Sequence, residues 1–104
     1  MVGLVLPGYP RGVVEEHLDE LERLVDTAGG LVVGRALQER TRPEPATLVG
    51  SGFLDRLADR CRDEAVDSLI FDEDLTASQV RNIESVLPKS VKVLDRAAVI
   101  LDIF

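Results

Sequence analysis

Along this chain, short apolar runs alternate with stretches whose apolar residues recur at helical spacing, and this alternation limits the fold more than any other feature. Strand-like runs occupy residues 1–6, 31–33 continuing towards Leu37, 68–71 and 91–94, with a shorter extended piece at 47–49. Between them, Val14, Leu18, Leu21 and Val25 fall at i, i+4, i+7 and i+11, which predicts an amphipathic helix over 12–28. Leu54, Leu57, Ala58, Cys61 and Ala65 predict a second helix. Thr76 and Gln79 form a capping box ahead of Val80, Ile83, Val86 and Leu87, and Pro88 ends that third helix. In the last segment Ala97, Ile100, Leu101 and Phe104 share one stripe while Val99 and Ile103 lie elsewhere, so its apolar surface extends around most of the helix. Gly29-Gly30 supplies a left-handed helix end, and residues 7–10, two prolines around Gly8-Tyr9, form a turn. The expected class is α/β: a mainly parallel four- to five-stranded sheet, joined by right-handed crossovers, with helices on both faces.

No linker, repeat or low-complexity tract interrupts residues 1–104, so a single domain is expected. With 45% apolar residues it closes one core but has little room for a deep substrate cavity, which favours a binding module over an enzyme. The formal charge of −7 opposes adsorption to nucleic acid or an anionic membrane through the net field, so any such contact is local. Cys61 is the lone cysteine, which excludes an intrachain disulfide and a cysteine-rich zinc site and fits a reducing, cytoplasmic setting. The apolar start is too short for a signal peptide or a spanning helix, so no membrane association is expected.

Several residues invite chemical readings. Gly50-Ser51-Gly52, between a strand and a helix, is where backbone amides cradle phosphates; the plainer reading is a tight turn with Ser51 as N-cap. Asp72, Glu73 and Asp74 at a strand's carboxyl end are weak candidates for a hard cation, against a solvated acidic loop ahead of a helix. His17, among acidic neighbours, reads as exposed helix surface, and Cys61 as a small buried apolar residue. Arg35, Arg40 and Arg42 make a local positive stretch in and before a proline-containing loop over 38–46, suited to phosphate contacts though interrupted by Glu39 and Glu44.

Taken together, residues 27–33, 42–52, 70–75, 78–82, 93–96 and 100–104 resemble, in order and spacing, the N-terminal domain of the HflX family of translational GTPases. The resemblance runs from about Leu21 to the end. It implies a ribosome-associated protein that binds the large subunit and its rRNA and helps split or rescue stalled ribosomes, with a helical hairpin and a GTP-hydrolysing domain following. The present chain then corresponds to the first part alone, its final helix truncated, with the hairpin and GTPase domains as its natural partners. No GxxxxGK[ST] occurs here, so no catalysis and no cofactor is expected in this chain, GTP and Mg belonging to the absent domain. Family members usually carry Gly-Lys-Gly-Lys at the glycine turn, where this chain has Gly50-Ser51-Gly52-Phe53. That leaves Arg40 and Arg42 as the better phosphate contacts. Two rival readings stand beside this one: a small-ligand or nucleotide/Mg-binding domain using residues 50–52 and 72–74, and self-association through the exposed last helix.

Overall fold

The computed structural model describes residues 2–5, 11–40 and 42–103. Four strands, β1 (Val2–Val5), β2 (Ala36–Glu39), β3 (Ser68–Phe71) and β4 (Lys92–Asp95), form one parallel sheet in the order β2-β1-β3-β4. The helices are α1 (Arg11–Thr27), α2 (Ser51–Asp63), α3 (Ala77–Val86) and α4 (Arg96–Ile103). From β1 the chain steps one way along the sheet to β2, then reverses to reach β3 and β4. Right-handed crossovers therefore place α1 on one face and α2 and α3 on the other.

The core divides accordingly. Val14, Leu18, Leu21 and Val25 of α1 pack with Ile70 and Val99 on one side, while Leu54, Leu57, Cys61, Ile83 and Leu87 pack with Leu69, Phe71 and Val93 on the other. Successive residues of β3 thus serve opposite faces, and an apolar run without polar alternation marks a strand covered on both. Gly29 takes φ +89° and lets the Gly30 amide donate to the Val25 carbonyl at 2.9 Å, closing α1 as expected. The Thr76 capping box is formed, each partner's side chain accepting from the other's amide.

Three expectations change. The second strand begins at Ala36, where it pairs with Val2, and takes in Gln38 and Glu39, while residues 31–33 stand outside the ladder. Strand propensity measures how a side chain suits a pleated surface, and here pairing with β1 sets the strand's limits instead. In α4, Val99 faces the core, 3% exposed, whereas Ala97 and Ile100 face outward, the reverse of the expected stripe. The third concerns the short piece at 47–49, which is a turn. The expected turn at residues 7–10 lies outside the described residues.

Candidate nucleic-acid interface

Helix α2 opens on Gly50, whose backbone is extended and whose position offers no side-chain cap. Ser51 is therefore the first helical residue, exposed, and not the N-cap. The first helical bond runs from the Leu54 amide to the Gly50 carbonyl at 2.9 Å, so the amides of residues 51–53 precede any intrahelical partner. The amide of Gly50 itself donates to Gln38 Oε1 at 2.8 Å.

The Arg40 guanidinium lies over this helix start. A Cβ placed on Gly50 would come within 2.7 Å of Arg40 Nη1, so the glycine makes room for the cation. Arg40 Nε donates to the Arg42 carbonyl at 3.1 Å, and Arg40 Nη2 stands 4.0 Å from Glu44. Arg42 is exposed and makes no ion pair among the described residues. A third cation joins them: Arg56, one turn into α2, lies 5.9 Å from the Phe53 ring centroid, beside Gly52. Sequence reading took Arg56 for ordinary helix surface; the i, i+3 spacing of Phe53 and Arg56 is the signal that could have found it. Three guanidinium groups and an uncapped helix start, itself carrying partial positive charge, thus gather on one patch of an acidic chain.

The loop leading into this patch is rigidly held. Leu48, 6% exposed, takes φ +68°, and the Val49 amide reaches back to the Thr47 carbonyl at 2.8 Å, a tight turn seldom adopted by residues with side chains. Paired bonds between Glu44 and Leu48 close the loop, and the side-chain amides of Gln79 and Asn82 on α3 donate to the carbonyls of Pro45 and Ala46. Burying Leu48 among α2 and α3 sustains the strained backbone.

Arg35 is not part of this patch. It precedes β2 whereas Arg40 follows it, so the strand holds them roughly 16 Å apart, at opposite edges of the sheet. Arg35 is occupied there by Asp19 at 2.7 Å and Glu22 at 3.4 Å, and the hydrogen bond to Asp19 raises its pKa.

The acidic triplet follows β3, at the point where β1 and β3 send their chains in opposite directions, the usual ligand position in open α/β sheets. Asp72 is not solvated there. Its side chain, 5% exposed, accepts from Arg96 Nη1 at 2.8 Å and lies 3.8 Å from His17 Nδ1, while Arg96 Nη2 reaches Glu20 at 2.7 Å. Desolvation opposes the charge on Arg96, but its bonds to Asp72 and Glu20 prevail and raise its pKa. Asp95 ties the region together, accepting from the Ala98 amide at the start of α4 and from the Leu75 amide. This arrangement serves as a structural ion network: the oxygens a cation would need on Asp72 are already engaged, and no group of three metal-ligating side chains occurs among the described residues.

Burial raises the Glu73 carboxyl above its ordinary value of 4.5, followed by the charges of Asp72 and Asp74, with His17 acting in the opposite sense. For an acid whose folded pKa is raised, stability is present below the unfolded pKa and lost as pH climbs through the folded one. Glu73→Gln should accordingly raise Tm at pH 7 and leave it unchanged near pH 4, measured by thermal unfolding at both pH values.

Cys61, 4% exposed, is a core residue whose thiol is pushed up by burial, which removes it from nucleophilic chemistry. No described helix is long and apolar enough to cross a membrane.

The family model for the GTP-binding GTPase N-terminal region matches residues 15–104. GTPase HflX of Flavobacterium psychrophilum is 39% identical over all of this chain and 25% of its own length. GTPase HflX of Lacrimispora saccharolytica is 42% identical over 84% of this chain and 20% of its own length. The chain belongs to this family, as an HflX N-terminal domain. GTPase HflX of Escherichia coli is 34% identical over 86% of the chain. The HflX domain described here therefore spans about a quarter or a fifth of the curated relatives it matches. Its fold also matches a GTP-binding protein from Sulfolobus solfataricus in complex with GDP, with a TM-score of 0.68, 23% identity, and coverage of 98% of this chain and 29% of that one.

Proposed function

We propose that this HflX domain docks its parent GTPase on the large ribosomal subunit, through rRNA phosphates, and so contributes to ribosome splitting or rescue and to control of the GTPase domain in the full-length protein, in the cytoplasm. The observation that carries this reading is the patch of Arg40, Arg42 and Arg56 at the open start of α2, carried on a loop already locked in place. Guanidinium forks and free amides suit phosphate oxygens, and a pre-ordered loop loses little entropy on binding. GTP hydrolysis belongs to the parent protein. The residues at the α2 turn do not fit a nucleoside triphosphate with Mg, since Phe53 stands where a lysine would help and Asp72 is committed to Arg96.

Sedimentation of the full-length protein with large subunits over a range of salt tests the reading. Arg40→Ala with Arg42→Ala should weaken binding and make the plot of log K against log salt shallower by roughly 1.5–2, one counterion increment for each lost contact. Unchanged affinity in the double variant would remove these arginines from the contact, and no binding by the wild type at any salt would defeat the docking claim.

A further inference from the structure

At the opposite edge of the sheet, where β2 and β3 begin and α1 and α2 end, a groove of about 520 Å³ is lined by apolar side chains including Leu31, Val33, Leu57, Cys61 and Val99. Leu31 is 87% exposed and Val33 56%, the two most exposed large apolar residues described, while Val32 between them packs inward. Their outward position is held in place: Arg60 of α2 donates to the Arg35 carbonyl at 3.1 Å, pinning the end of the segment. The charges around the groove are internally satisfied, Arg35 by Asp19 and Glu22 and Arg60 by Glu64 at 2.6 Å. Such a rim offers nothing to a polyanion and suits an apolar occupant.

We infer that this groove seats the part of the full-length HflX protein that follows residue 104. Helix α4 starts at the carboxyl end of β4 and packs along α1, so it runs back towards this edge, with Val99 in the groove wall and Ile103 one turn further on. Relatives place three-quarters or more of their length outside the matched region, so their continuing chain emerges beside the exposed leucine and valine. Two protruding apolar side chains are too small a patch for a stable dimer, which needs roughly 800 Å² from each partner. A tethered segment, present at an effective concentration in the millimolar range, needs far less contact to stay docked. The inference rests on family membership and on this groove alone, independently of the ribosome reading.

Alkylation of Leu31→Cys in the full-length protein, resolved by peptide mass against Glu84→Cys on the exposed face of α3, tests it. The cysteine at position 31 should react at least ten-fold more slowly than the one at position 84, with the protection unchanged on hundred-fold dilution and without ribosomes. Equal rates overturn the proposal. Protection that vanishes on dilution assigns the groove to a second copy, and protection that requires ribosomes assigns it to an external partner; each outcome also overturns it. Val33→Asp, an exposed change that leaves the core untouched, should restore rapid labelling at position 31 if an apolar segment is docked there, and failure to do so counts against the proposal.

Discussion

Replacing Arg96 by alanine should lower the stability of the domain by about 2–4 kcal/mol, towards the low side of the range for breaking a buried pair because Arg96 is itself 27% exposed. Asp72 is the reason. Its carboxylate is 5% exposed, its nearest other cation is His17 at 3.8 Å, and removal of the guanidinium leaves the charge without its main partner. Arg96 also spans α1 and α4 through Glu20, so its loss loosens the packing of both helices on the same face of the sheet. Urea unfolding followed by circular dichroism should show a lower midpoint with an unchanged slope. The double change Asp72→Asn with Arg96→Met should recover much of the loss, since removing both charges avoids an unpaired one. If Arg96→Ala leaves the midpoint in place, the network is ornamental and Asp72 reverts to the status of a solvated strand-end acid.

The larger effect is expected at Phe71. This ring is fully buried, closes the core between the sheet and α2 and α3, and lies on β3, one residue before the ion network. Phe71→Ala should cost about 3–5 kcal/mol, the combined loss of apolar transfer and the cavity left in a close-packed interior. Because small domains are stable by only about 5–15 kcal/mol, the variant should be substantially unfolded well below the wild-type Tm. Phe71→Leu, which keeps most of the volume, should retain a cooperative transition at a reduced midpoint. A wild-type midpoint in Phe71→Ala would mean that this side of the core is not where the domain's stability resides.

Much of the fold was legible because burial in a helix or a doubly covered strand leaves a repeating trace in one dimension. The four residues of α1 at i, i+4, i+7 and i+11 are the four it buries, and the Thr76–Gln79 box caps α3 through bonds that span only three residues. The interface was half legible. Arg40 and Arg42 were found because they are neighbours in sequence, but Arg35 was grouped with them although β2 carries it to the other edge of the sheet. Arg56 was missed because its role depends on lying beside Gly52 and Phe53 at the helix start. Asp72 was misread for a related reason: in sequence it belongs to a run of three acids, and the cation that neutralises it comes from position 96.

Local periodicity and short-range capping are properties of residues a few positions apart, so the chain alone specified its helices, its α/β class and its family. Strand limits, the neutralisation of Asp72, the strained turn at Leu48 and the exposure of Leu31 and Val33 depend on contacts between residues distant along the chain. Only the folded molecule decided those, because it sets which distant backbone and side-chain groups come within hydrogen-bonding or packing distance.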